Sequence, residues 1–483
     1  MADPTQHANP EQDPEQDSAT GPSAADAYDL VILGAGSGGY ACALRASQLG
    51  LSVALVEKAK VGGTCLHQGC IPTKALLHAA EVADTARTSS RFGINATLDG
   101  IDMPGVLSYK DTVVDRLYKG LSGLVSGAGV TLIEGAGRLE GGPGETPTVV
   151  VGQRRLSGEH VVLATGSYAR TLPGLEIGGR VMTSTEVLQL SEVPERTVVL
   201  GGGVIGVELA SVLASFGSDV TVVEALERLV PAEDEAASSA LARAFKKRKI
   251  TVLTGTRFAG VEQHEQSVTV TLEGTDPIEA DLLVVAVGRG PVTSDMGFAD
   301  AGLNLDRDFV PTDERLRTNL PRTYAVGDIV PGLQLAHRGF AHGIFVAEDI
   351  AGLDPSPVQD SLIPKVTYSH PEIASVGLTE AAAREIHGDA VTTYQYDLGG
   401  NGKAQILGTA GFVKLIRLQD GPIIGVHMVG DRMGEQVGEA MLLVGWEAEP
   451  ADLTPLIHAH PTQNEAIGEA VLALAGAPLH AHP

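Results

Sequence analysis

The sequence predicts an α/β protein built around two dinucleotide-binding units of Rossmann type, and three observations predict it. Residues 28 to 58, "YDLVILGAGSGGYACALRASQLGLSVALVEK", run apolar strand, glycine turn, alanine-rich helix, apolar strand and acid. Residues 197 to 228, "TVVLGGGVIGVELASVLASFGSDVTVVEALER", repeat that order. In both copies the acid stands 23 residues after the first glycine, which chance rarely arranges.

At 483 residues the chain has room for about three domains. Its 43% hydrophobic and 19% charged content, with 59 glycines, describes a globular protein rich in tight turns. No apolar run nears the ~20 residues of a membrane span, so no membrane partner is expected. A net charge of -26 argues against nucleic acid as a partner. The excess acid reads either as solubility or as a docking surface for a basic partner segment. Residues 1 to 27 carry six acids and no Lys or Arg amid Pro, Gln and Ala, which predicts a disordered acidic tail. The tail lacks the arginines of a transit peptide, and a cytoplasmic address is expected.

In the first unit Gly34 allows the tight turn, Gly36 lets the backbone approach a pyrophosphate at the helix N-terminus, and Gly39 allows close helix packing. Glu57 is placed to bind a ribose hydroxyl. Next comes "GGTCLHQGCIPTKALL" (62–77), which holds Cys65 and Cys70, two of the three cysteines. The following stretch predicts a helix, and a regular helix cannot bridge the pair: five residues separate the Cα atoms by roughly 7.5 Å along the axis. A disulfide wants about 4.4 to 6.8 Å, so bridging requires a bent or unwound segment, which Gly69 and Pro72 permit. Alone, the pair could be a structural disulfide, a metal ligand pair or a redox pair. Zinc would need about four ligands and no second cysteine pair exists, so no metal is expected. Cys42, on the first Rossmann helix, reads as a small buried residue.

The second unit repeats the design with Gly201, Gly203, Gly206 and Glu224. Two dinucleotides are therefore expected. The cysteines lie eight residues beyond Glu57, so the first unit's cofactor is the one they reach. Flavin trades electrons with thiols on one side and hydride on the other, which assigns FAD to the first unit and nicotinamide to the second. Glu224 would accept a hydrogen bond from a 2′-hydroxyl but repel a 2′-phosphate, and only Arg228 lies nearby; NAD is expected rather than NADP.

Across residues 28 to 475 the chain resembles the FAD-dependent pyridine nucleotide-disulfide oxidoreductases, and within them the branch that oxidises dihydrolipoamide. The stretches that carry the resemblance are the cysteine segment, "LATGS" (163–167), "GGGVIGVELASV" (201–212), "VGRGP" (287–291), "YAVGDI" (324–329), "LAH" (335–337), "YSHPEIASVG" (368–377) and "HAHPTQNE" (458–465). The resemblance implies an FAD domain over 28–165 and 289–358, an NAD domain over 166–288 and an α+β interface domain over 359–483 that forms a homodimer. It implies that Gly137, Gly166, Asp328 and Ala336 contact FAD, that Gly288 lies near the nicotinamide nucleotide, and that Lys74 and Glu208 pair near the flavin. By themselves Lys74 and Glu208 read as ordinary helix-surface charges. The pair Cys65 and Cys70 becomes a redox-active disulfide. Implied partners are lipoyl domains of 2-oxo acid dehydrogenase or glycine cleavage complexes, and a basic subunit-binding segment of an acyltransferase core. His67-Gln68 and Thr73 depart from the common pattern without an evident chemical consequence.

Such chemistry needs a base, since only a thiolate attacks a disulfide and a free thiol titrates near pH 8.5. "HAHPTQNE" offers histidine with Glu465 to orient it, and the resemblance picks His460 over His458. The final "HAHP" has no carboxylate after it and reads as a frayed terminus; His337 and His370 read as structural. Glutathione, mycothiol or trypanothione reductases share the cysteine pair, yet usually want arginines for NADP and often an aromatic residue where Val204 stands. Mercuric and thioredoxin-type relatives need later cysteines, and none occurs after Cys70. A non-catalytic redox-sensing flavoprotein would lack an essential part, whereas Cys65, Cys70, His460 and Glu465 are all present.

Overall fold

The computed structural model describes residues 26–142 and 144–480. Residues 1–25 of the expected tail lie outside them. Its last two residues, Asp26 and Ala27, are already strand, paired with Leu156 and Ser157, because the neighbouring strand offers their backbone groups partners.

The first unit comprises β1 (Asp26–Leu33), α1 (Ser37–Gln48), β2 (Val53–Glu57), α2 (Gly63–Gln68), α3 (Cys70–Thr88), α4 (Met103–Gly127), β3 (Thr131–Glu134), β4 (Gly137–Glu140), β5 (Thr148–Val151) and β6 (Arg154–Leu163). Strands β3-β2-β1-β6 are parallel, and β5 and β4 continue the sheet antiparallel. Leu30, Val31 and Ile32 are wholly buried, the signature of a parallel strand covered on both faces.

The chain then crosses, through β7 (Ser167–Ala169), into the second unit: β8 (Val181–Thr183), β9 (Arg196–Leu200), α5 (Val204–Phe216), β10 (Asp219–Val223), α6 (Glu235–Lys247) and β11 (Thr251–Leu253). An antiparallel flap comes next, β12 (Phe258–Gln263), β13 (Val268–Leu272) and β14 (Ile278–Ala280), then β15 (Leu282–Val285). The parallel sheet has the order β11-β10-β9-β15-β8. The chain returns through β16 (Arg289–Pro291), which pairs antiparallel with β7. Beyond it, β17 (Thr323–Ala325) joins the first sheet beside the end of β6, and α7 (Ala336–Ile350) packs on α1. A Cβ on Gly343 would stand 2.2 Å from the Gly38 carbonyl oxygen, so only glycine allows the two helices this close. Cys42 is wholly buried in α1.

The last part is a second kind of layer: β18 (Lys365–Thr367), β19 (Glu372–Gly377), α8 (Glu380–His387), β20 (Val391–Asp397), α9 (Gly402–Leu407), β21 (Phe412–Leu418), β22 (Ile423–Gly430), α10 (Met433–Gly445), α11 (Pro450–Leu453) and α12 (Glu465–Leu474). Its sheet, β18-β19-β22-β21-β20, is wholly antiparallel, the α+β character expected of this region. Ile373, Phe412 and Val429 enter the core of the second unit, and Lys414 reaches Asp234 there at 2.8 Å. Among the described residues no helix is long and apolar enough to cross a membrane.

Candidate active site

The cysteine segment is a helix broken between its two sulfurs. Gly69 has φ -149° and ψ -108°, outside helical space, so α2 ends and α3 starts afresh at Cys70. Thr73 stabilises the break: its amide and its hydroxyl both donate to the Gly69 carbonyl, at 3.0 and 2.6 Å. The redirected chain brings two free thiols into hydrogen-bond contact. That contact polarises them. The Cys65 thiol donates to Cys70 and, with the Lys74 ammonium, outweighs burial and the Glu208 charge, bringing Cys70 down to about 7. The same contact, together with burial and the Cys70 charge, pushes Cys65 up.

Lys74 and Glu208 are not surface charges. Glu208, on α5, has only 3% of its side chain exposed and takes Lys74 Nζ on both oxygens, at 3.0 and 2.9 Å. Glu208 Oε1 also accepts the Tyr368 amide at 2.8 Å, and Lys74 lies 4.8 Å from the Tyr368 ring centre. One ion pair therefore ties the cysteine helix to the glycine-rich helix of the second unit and to the C-terminal layer. Burial alone would lower the ammonium; Glu208 more than restores it, and Lys74 stays a cation beside Cys70.

The two glycine turns are near copies. A Cβ on Gly34 or Gly201 would meet a carbonyl oxygen, of Ala164 or Ala286, at 2.3 Å, and both residues have positive φ. On Gly39 or Gly206 it would fall within 1.9 Å of the Gly34 or Gly201 oxygen. The middle glycines differ: at Gly203 a Cβ would meet nothing within 4 Å, and at Gly36 only Gly63 at 3.9 Å. The backbone there faces open space at a helix N-terminus, where a pyrophosphate fits. Glu57 accepts the Ala35 amide at 2.8 Å, and Glu224 the Gly202 amide at 2.6 Å, so each acid also pins its own turn. Arg228 is committed elsewhere, donating to the carbonyls of Glu233 and Pro231 and to the Ser238 hydroxyl.

Gly166 and Gly288 have positive φ and face open space. Gly137 is glycine for a different reason, since a Cβ would strike Leu33 at 2.6 Å. Ala336 opens α7, and Asp328 stands in the turn after β17, accepting the Ser167 hydroxyl. Ser167 is in turn held by Arg289. Both lie in stretches that carry the resemblance, "LATGS" and "VGRGP", but neither was singled out as a site residue. Tyr40, on α1, was also missed: burial and then the charges of Cys65 and Cys70 push its phenol up to about 12, and its ring packs on Phe340 with centroids 5.6 Å apart.

His460 and Glu465 are together but apart from the cysteines. His460 Nδ1 meets Glu465 Oε1 at 2.7 Å, and Glu465 Oε2 accepts the Thr462 amide at 2.7 Å. With Nδ1–H donating to the carboxylate, Nε2 is left as the basic nitrogen. The imidazole is 74% exposed, on a surface of the C-terminal layer. His458 also has a glutamate, Glu439 at 2.9 Å, but is mostly buried. The terminal histidine overturns its expectation. His480 is not frayed, for its amide and Nδ1 both reach Glu469 at 2.9 Å, one turn beyond Glu465 on α12. Its carboxylate precedes it, which a search downstream misses; residues 481–483 lie outside the described residues. His337 holds the Pro364 carbonyl at 2.7 Å.

Residues 28–343 match the family model described as pyridine nucleotide-disulphide oxidoreductase, and residues 363–471 match that family's dimerisation domain. The chain belongs to this family. It is 39% identical over 470 residues to a dihydrolipoyl dehydrogenase of Bacillus subtilis, covering 94% of this chain and 99% of the relative. It is 36% identical to the mitochondrial dihydrolipoyl dehydrogenase 1 of Arabidopsis thaliana, covering 95% and 92%. Among solved structures, LpdA of Mycobacterium tuberculosis superposes with a TM-score of 0.87 at 25% identity, covering 93% of this chain and 99% of that one. The HOCl-induced flavoprotein disulfide reductase RclA of Escherichia coli does so with a TM-score of 0.81 at 26% identity, covering 92% and 99%. The family uses FAD and NAD, and the two open glycine cradles fit them. The dimerisation-domain match supports a homodimer.

Proposed function

We propose that the chain is a dihydrolipoyl dehydrogenase that oxidises dihydrolipoamide to lipoamide and reduces NAD, with Cys65 and Cys70 as its redox pair. The observation that carries this reading is the helix break at Gly69, which leaves a free thiol on either side of it and starts the helix whose Lys74 is held by the buried Glu208. In the oxidised enzyme the two sulfurs form a disulfide. His460 Nε2 takes a proton from one substrate thiol, whose sulfur attacks Cys65; the Cys65–Cys70 bond breaks and Cys70 leaves as thiolate. The second substrate sulfur displaces Cys65, closing lipoamide, and the second proton ends on Cys65. Lys74 stabilises the Cys70 thiolate throughout. When bound, FAD would supply the path by which the electron pair reaches NAD as hydride, while the Cys65–Cys70 disulfide re-forms and Cys65 gives up its proton. One proton leaves within the hydride and the other goes to solvent.

Glu57 and the first glycine turn hold FAD, with Asp328 and the start of α7 completing its cradle. Glu224 and the second turn hold NAD. Arg228, spent on its own loop, is no phosphate ligand, which favours NAD over NADP. The exposed His460 supports a site completed across the dimer, in which the partner subunit's His460 serves these cysteines. Lipoyl domains as substrate carriers, a basic subunit-binding segment of an acyltransferase core, and a cytoplasmic address belong to the same reading.

Turnover with dihydrolipoamide plus NAD, against glutathione disulfide plus NADPH, tests the reaction; activity only with the second pair refutes it. Co-producing Cys65→Ser and His460→Gln subunits tests the shared site. If the base acts in trans, each mixed dimer has one intact site, and with random pairing about a quarter of normal site activity returns. Recovery near zero in confirmed mixed dimers rejects the shared site.

A further inference from the structure

Both crossings between the two nucleotide units run through one pair of strands, β7 and β16, and their joint holds the guanidinium of Arg289. Arg289 Nε donates to Ser167 Oγ at 2.8 Å and its NH2 to the Ser167 carbonyl at 2.7 Å. Ser167 is almost wholly buried, and its hydroxyl reaches Asp328. The directions in this chain are forced. A guanidinium only donates and a carboxylate only accepts, so the single Ser167 proton must point at Asp328. Arg289 thus fixes the orientation of a hydroxyl that fixes a carboxylate, across 161 positions of sequence between Ser167 and Asp328. Burial weakens the guanidinium's hold on its proton, and the Asp328 charge opposes that. The cation is therefore tied, through Ser167, to the carboxylate of the FAD cradle.

We propose that Arg289 is a positioning residue of the flavin site, acting through Ser167 to hold Asp328 for the cofactor. This rests on the reading of Asp328 as an FAD residue. A lysine could replace the charge but not the fork, since an ammonium does not pair two acceptors in one plane.

The test uses the full-length holoenzyme and four variants: Arg289→Gln, Arg289→Lys, Ser167→Ala and the double Arg289→Gln/Ser167→Ala. Two quantities are read beside thermal melting, namely the rate of FAD release, from the fluorescence of freed flavin, and the visible absorption spectrum of the bound flavin. Arg289→Gln is expected to release FAD about tenfold faster, the order expected for a lost charge-assisted hydrogen bond, and to shift that spectrum. Ser167→Ala should change both in the same direction. Arg289→Lys should restore only part of the retention. The double variant should release FAD no faster than Arg289→Gln, because one chain broken twice is broken once. Release and spectrum at wild-type values in Arg289→Gln overturn the proposal, as do fully additive effects on release, or a fall in melting temperature with neither quantity moved. If Arg289→Gln does not fold, Ser167→Ala with wild-type release overturns it equally. A wild-type protein that holds no FAD refutes the underlying reading of the site instead.

Discussion

The first and second nucleotide units share a glycine turn, a helix and an acid in the same order and spacing, and differ in the residues placed after the acid. After Glu57 the first unit spends its next residues on a broken helix that sets two thiols against each other and beside Lys74. After Glu224 the second spends Arg228 on the carbonyls of its own loop. The shared part binds a dinucleotide. The appended part decides whether that site also carries sulfur chemistry or only selects a coenzyme. The unit that lacks the thiols still supplies Glu208, so the reactive segment borrows its counter-charge from the passive copy.

The largest expected effect comes from removing the feature unique to the first unit. Either Cys65→Ser or Cys70→Ser should cut turnover by at least about a thousandfold. Cys65→Ser should keep FAD and show a long-wavelength thiolate–flavin band at neutral pH, and Cys70→Ser should show none. The reverse pattern exchanges the two roles.

Breaking the loan between the units should come next. In reduced wild type the Cys70 thiolate is present above a pH of about 7 and lost below it. Lys74→Met removes a cation that favours thiolate, so the band's midpoint should rise. It also strands the buried Glu208 carboxylate, a loss on the order of 3 kcal/mol, visible as a lower melting temperature. Glu208→Gln removes the opposing charge, and its midpoint should fall. Both midpoints moving the same way would mean the pair acts by packing rather than charge.

A smaller effect should mark the acid that both units share. Wild type should prefer NAD over NADP by at least about tenfold, the equivalent of 1.4 kcal/mol, and Glu224→Ala should narrow that ratio. Arg228→Gln should leave it unchanged; a ratio that moves would make Arg228 a coenzyme contact. The smallest effect is expected from deleting residues 1–25, which should leave turnover and FAD content as they were. A large loss would give the acidic tail a place on the body.

Much of this was legible because the backbone demands it locally. A turn that needs positive φ at Gly34, and a helix that needs no side chain at Gly39, write themselves as glycine wherever they occur. The break between the cysteines was likewise written in Gly69 and its neighbours. Other features are written in no single stretch. Lys74 and Glu208 were paired only through the resemblance, for they carry surface-type side chains and only the packing of α3 on α5 makes them a buried pair. Ser167, Arg289 and Tyr40 are common residue types whose roles exist only once distant segments meet. His480 escaped through direction, its partner Glu469 lying upstream on α12.

The insertion of the second unit through β7 and β16 has a consequence for the order in which this protein is made. On the ribosome, β1 to β6 emerge first and can pair among themselves, yet the carboxylate that receives the Ser167 hydroxyl is translated 161 positions later. So are β17, which must find the end of β6, and α7, which must find α1. The first unit's sheet and helix layer therefore stay incomplete until the whole of the second unit has been synthesised, although the glycine turn that begins them is among the first structures out.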